Sequence, residues 1–156
     1  MKYLIGFLFC CVLITYALYA QYVLNLEPCP LCIFQRLAVI AMGIIFLYCS
    51  IIEPKSKIHK LLASIFFSIT ASTGIAVASR HVWLQSLPSD QVPGCGPGLD
   101  FMLSTFPLTE VLEMVFSGSG ECANVDWSFL SLSMPSWVII SFSLMLVFAI
   151  WTNYRG

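Results

Sequence analysis

The sequence predicts an all-α membrane protein, a four-transmembrane-helix bundle with a short amphipathic interfacial helix in its second outward loop. Three observations predict it. Of 156 residues, 59% are hydrophobic and only 10% are charged, whereas a soluble domain needs about 25% charged residues to solvate its surface. Four long apolar runs punctuate the chain, and the charged residues gather at their ends. A net charge of −1 without a basic arm excludes a nucleic-acid partner and leaves the lipid bilayer as the surroundings.

The runs cover residues 3–24, 33–52, 61–79 and 134–152. Each is close to the ~20 residues that cross the hydrocarbon layer, and residues 1–156 read as one integral membrane domain. Polar interruptions are mostly small (Ser, Thr, Gly), with Gln21 an exception. The first run reads as a retained anchor. It is longer than the ~7–15 residues of a signal-peptide core, Leu18 stands where cleavage after Ala20 wants a small residue, and Cys10 follows Phe9, which a lipoprotein site does not tolerate. The third run carries Ala63, Ser64, Ser68, Ala71, Ser72, Gly74, Ala76 and Ala78, small residues that let helices approach closely. Trp127, Trp137 and Trp151 are placed to anchor interfaces.

Lys2, Lys55, Lys57, Lys60 and Arg155 fall on one side of these spans. Asp90, Asp100, Glu110, Glu113, Glu121 and Asp126 fall on the other, where Arg80 is the one basic residue. The positive-inside rule predicts cytoplasmic termini and a cytoplasmic loop at 53–60, with outward loops at 25–32 and 80–133. Within the long outward loop, Leu108, Val111, Leu112, Val115 and Phe116 recur at helical spacing after Pro107 and before Gly118 and Gly120. That pattern predicts the short amphipathic helix. Its apolar stripe suits either the membrane interface or packing on the protein.

Seven cysteines divide by location. Cys10, Cys11 and Cys49 lie within helices and read as small apolar packing residues; Cys29, Cys32, Cys95 and Cys122 lie in the outward loops, the compartment in which disulfides form. Cys29 and Cys32, three apart, can close a small reversible ring at the start of the second helix. Unpaired amides and the helix dipole stabilise a thiolate there. Arg36 follows Cys32 by one helical turn on the same face, and an ionisable residue at that depth is functional by default. It can serve the Cys32 thiolate, an anionic acceptor, or both; the alternative is an interfacial snorkeller.

Cys95 sits among Pro93, Gly94, Gly96, Pro97 and Gly98, which suits a loop that meets a partner. Thiol–disulfide exchange runs through mixed disulfides, so sulfurs in two loops suggest a relay. The chain has no haem, iron–sulfur or nucleotide motif, which leaves a membrane quinone as electron acceptor. A metal reading needs four ligands for zinc. Cys95 and Cys122 lack a second close pairing, His59 lies on the lysine side and His81 adjoins Arg80, so no metal is expected.

The segments Pro28-Cys-Pro-Leu-Cys-Ile-Phe-Gln-Arg36, Arg80-His-Val-Trp-Leu-Gln-Ser-Leu-Pro88, Pro93-Gly-Cys-Gly-Pro97, Gly120-Glu-Cys122 and Trp127-Ser-Phe-Leu-Ser-Leu-Ser-Met-Pro-Ser-Trp137 resemble the DsbB family, the bacterial quinone-dependent disulfide oxidases, across nearly the whole chain. The resemblance implies an enzyme of the bacterial inner membrane with redox-active disulfides Cys29–Cys32 and Cys95–Cys122 in the periplasm. It implies that a periplasmic DsbA-type thiol oxidase is reoxidised at Cys95, that Cys122 exchanges with the first pair through Cys29, and that Cys32 faces a bound ubiquinone or menaquinone aided by Arg36, with His81 near the ring. Some members are acidic where this chain has Gln35, so a carboxylate role does not carry over. Vitamin K epoxide reductase-like oxidoreductases place the CxxC after the loop cysteines, the reverse of this order. A non-enzymatic module binding metal through its cysteines is the rival of another class.

Overall fold

The computed structural model describes residues 2–88, 91, 101, 104–118, 120–125 and 127–155. Cys95 and its Pro/Gly surroundings at 93–98, with Asp90, Asp100 and Asp126, lie outside the described residues. Four long helices dominate: α1 (Lys2–Tyr22), α2 (Pro30–Ile52), α3 (Lys57–Gln85) and α6 (Met134–Arg155). All four are long and apolar enough to cross a membrane. Between α3 and α6 come the short helices α4 (Leu108–Ser117) and α5 (Gly120–Ala123) and a two-stranded hairpin, β1 (Ser128–Phe129) and β2 (Leu132–Ser133). The helices present large apolar side chains outward: Ile5, Val12, Ile44, Ile51 and Val147 are all more than 60% exposed. A water-soluble surface does not carry such a belt; a lipid-facing one does.

The most extensive packing joins α3 to α6, α1 to α2 and α2 to α3. Ala63, Ser64, Ala71, Gly74 and Ala78 are buried, so the small-residue face of α3 is where a neighbour approaches. The Phe142 ring of α6 lies directly over Gly74, where a Cβ would stand. Phe46, Phe67 and Phe142 are fully buried with Met42, Ala71 and Ala149, the Phe46 and Phe67 rings 4.6 Å apart. Cys10 and Cys49 are buried in this core, whereas Cys11 is exposed on the outside of α1.

At the lysine end a buried polar knot ties three helices. Asn153 accepts from Tyr3 Oη at 3.0 Å and donates to the Lys60 carbonyl at 2.6 Å and to Ser64 Oγ at 2.7 Å. Every polar atom of the Asn153 side chain is thereby satisfied, as burial requires.

Hydropathy drops after Ser79, yet α3 continues to Gln85 and takes in Arg80 and His81, which the sequence reading assigned to a loop. No helix breaker occurs before Pro88, and His81 is buried rather than solvated. At 1.5 Å per residue α3 is about 43 Å long, against ~30 Å of hydrocarbon, so it is long enough for its polar end turns to lie outside the apolar layer, where an ionisable residue costs less. In α4, Val111 and Val115 are buried against Leu31, Val77 and Leu84. The described part of its stripe therefore packs on the bundle mouth rather than facing outward.

The β1–β2 hairpin pairs Ser128 with Ser133 and Phe129 with Leu132. Its two turn residues, Leu130 and Ser131, both have positive φ (52° and 64°), a conformation that favours Asn-Gly. The double substitution L130N/S131G is expected to raise unfolding stability by about 1 kcal/mol, read as a higher melting temperature in detergent. Trp137 Nε1 donates to the Phe129 carbonyl at 3.1 Å, which fastens the hairpin to the first turn of α6.

Candidate active site

Cys29 caps α2 in extended backbone (φ −65°, ψ 162°), and Pro30 takes the first helical position, where a missing N–H costs nothing. One helical turn therefore brings Cys32 back over Cys29. Their Sγ atoms lie 3.0 Å apart, a hydrogen-bonding separation and one small rotation from the ~2.05 Å of a disulfide. Cys29 is buried and Cys32 half-buried, and both face one cleft.

The extension of α3 places His81 against this pair. Its Nε2 is 3.8 Å from Cys29 Sγ and its Nδ1 is 4.0 Å from Cys32 Sγ. The ring is 3% exposed, with Gln35 Nε2 3.1 Å from Nδ1. The sequence reading passed over His81 as a ligand because of its neighbour Arg80. The structure corrects that reason, since the two sulfurs and a ring nitrogen lie within 4.8 Å of one another. Among the described residues this donor set stops at three, one short of a closed zinc site.

Arg36 points from α2 towards α1. Its guanidinium donates to Gln21 Oε1 and, at 3.1 Å, to the Ala17 carbonyl. Gln21, the one larger polar residue in the first apolar run, thus satisfies a cation that would be costly alone in a membrane. The fork of Arg36 reaches two acceptors on one helix, which a lysine point charge does not do.

The cleft is walled by α1 (Leu13, Ala17), α2 (Cys32, Arg36), α3 (His81, Gln85) and α6 (Val138). Its lining is mainly apolar and carries Gln35, Arg36, His81 and Gln85 as polar groups, a mixture usual for a small-molecule site, and it runs between lipid-facing helices. Gln85 Oε1 is buried there without a hydrogen-bond partner among the described residues. Trp127 closes the outer rim, its ring 6.0 Å from Tyr16.

Cys122, on α5, is fully buried in the same cluster as Cys29, Leu31 and Val77. Of the sequence-predicted residues, Cys29, Cys32, Cys122, Arg36 and His81 converge on one end of the bundle. Gln35, Gln21 and Gln85 are site residues whose roles the sequence reading left blank. For Gln21 and Gln35 a signal existed, an amide in an apolar helix, but its partner lies on another helix.

A family model described as disulfide bond formation protein DsbB matches residues 1–152. The chain is similar to proteins named disulfide bond formation protein B. It is 53% identical over 153 residues to that of Nitrosococcus oceani, covering 98% of this chain and 90% of the relative. It is 49% identical over 140 residues to that of Methylococcus capsulatus (90% and 85%), and 48% over 140 residues to that of Hahella chejuensis (90% and 84%). With a four-helix membrane architecture and a dithiol at a helix mouth, the chain belongs to the DsbB family, the disulfide-forming membrane oxidoreductases.

Proposed function

We propose that the chain reoxidises a periplasmic DsbA-type thiol oxidase and passes the two electrons to a membrane quinone, ubiquinone or menaquinone. One observation carries the reading: Cys122, from the distant loop, is buried in the same cluster as Cys29, while Cys32 and Arg36 face a cleft between lipid-facing helices. Sulfur from the loop and an entrance for a lipid-soluble acceptor thus meet at one dithiol.

The partner's thiolate attacks Cys95 of the Cys95–Cys122 disulfide and Cys122 leaves. Cys122 then attacks Cys29, the Cys29–Cys32 bond breaks, and Cys32 holds the electron pair as a thiolate. The amides at the start of α2 and the Arg36 cation stabilise that charge. A quinone, when bound, accepts two electrons and two protons. Arg36 and Gln85 would hold its polar end and the apolar wall its ring; excluding water there strengthens each electrostatic contact. The net change is one dithiol oxidised and one quinone reduced.

The charge distribution along the chain supports a multi-pass bacterial inner-membrane topology with both termini cytoplasmic, spans near 3–24, 33–52, 61–79 and 134–152, and the redox cysteines periplasmic. The test is quinone reduction by a reduced DsbA-type protein with the purified chain. Turnover is expected in the parent and background only in Cys95→Ser; equal rates in both remove the reading.

A further inference from the structure

We propose that Gln35 is a positioning residue that holds His81 in the tautomer whose proton sits on Nε2, directed at Cys29. The inference rests on the relay above and adds which sulfur the imidazole serves.

Gln35 Nε2 stands 3.1 Å from His81 Nδ1. An amide nitrogen has hydrogens to give and no lone pair to accept with, so in this amide orientation Nδ1 is the acceptor. A neutral imidazole with a bare Nδ1 carries its hydrogen on Nε2. A doubly protonated ring would set N–H against NH2 and leave both donors unpaired. Gln35 and His81 are 5% and 3% exposed, so water does not substitute for a lost partner, and mispairing carries the full desolvation cost. Nε2 is in turn the ring atom next to Cys29 Sγ, at 3.8 Å.

The two sulfurs then have separate support. Cys32 has the α2 amides and Arg36 one turn on; Cys29, at the cap, has the imidazole N–H. Support at Cys29 matters in the resolving step. An incoming thiolate attacks Cys122 Sγ of the Cys29–Cys122 mixed disulfide. The new S–S bond forms at Cys122, the old one breaks, and its electron pair stays on Cys29 Sγ. No net oxidation occurs in this step, and leaving is faster the better that thiolate is stabilised. In the Nδ1–H tautomer a nitrogen lone pair would face the new negative charge instead.

Gln35→Glu inverts the arrangement, because a carboxylate has only lone pairs to offer and draws the proton to Nδ1. The chain has two histidines, and His59→Asn leaves His81 as the one nitrogen-15 imidazole signal. In reduced, histidine-labelled protein in nanodiscs the expected spectrum is pyridine-like at Nδ1 and protonated at Nε2. Gln35→Glu is expected to move the proton to Nδ1 and to slow Cys29 release roughly tenfold, the loss of one hydrogen bond to a charged sulfur. A proton on Nδ1 in the parent overturns the proposal. So does an unmoved tautomer in Gln35→Glu, or a moved tautomer with unchanged release. The tautomer is read without partner or quinone, so it stands or falls separately from the relay.

Discussion

Cys32→Ser is expected to reduce quinone turnover by roughly a thousandfold or more, the scale of losing a covalent nucleophile, while leaving the bundle folded. Cys32 is half-buried at the cleft rather than in the core, so a hydroxyl of nearly the same size fits. What is lost is chemistry: serine neither forms the disulfide with Cys29, 3.0 Å away, nor holds an electron pair as a thiolate. Turnover with a reduced DsbA-type partner and the melting temperature in detergent, measured together, separate the two effects. Turnover near the parent level would place electron exit elsewhere.

Arg36→Met is the second large effect. It keeps the length of the side chain and removes the cation and its two hydrogen bonds to α1. Turnover is expected to fall by roughly 30-fold or more, the equivalent of about 2 kcal/mol for removing one buried charge from its partners. Arg36→Lys should recover part of the loss, since it restores charge without the fork. Gln21→Leu provides the control. It removes the Gln21 bond while keeping the cation and its bond to the Ala17 carbonyl, so it should cost stability more than turnover. If Gln21→Leu and Arg36→Met lower turnover equally, the guanidinium acts by bracing α1 against α2 rather than by its charge.

The four long helices were legible in the sequence because apolar length is a local property. Residues 33–52 and 134–152 nearly coincide with the observed helices Pro30–Ile52 and Met134–Arg155. The third helix, Lys57–Gln85, outruns the apolar stretch 61–79 because hydropathy measures the lipid, not the helix. Arg80 ends the apolar run, but nothing ends the hydrogen-bonded backbone before Pro88. That extension brings His81 to the sulfurs, and so its neighbourhood was not readable from its place beside Arg80. Cys29, Cys32 and Arg36 were legible because their spacing, three and then four, lies within one helix. The Gln35–His81 and Arg36–Gln21 pairs were not, because each joins two helices, and one sequence carries no record of which helix faces which. The Leu130–Ser131 turn was hidden for a different reason: its residues are poor ones for the positive φ they adopt.

The relay is tested most directly by stopping it halfway. A DsbA-type partner that keeps only its attacking cysteine is mixed with the parent protein, exposed thiols are alkylated, and the disulfide links are mapped by mass spectrometry. The account predicts the partner joined to Cys95, Cys29 joined to Cys122, and Cys32 as the one alkylated sulfur of the four. Cys29 still bridged to Cys32, with Cys122 alkylated, would show that electrons never cross from the loop to the helix mouth.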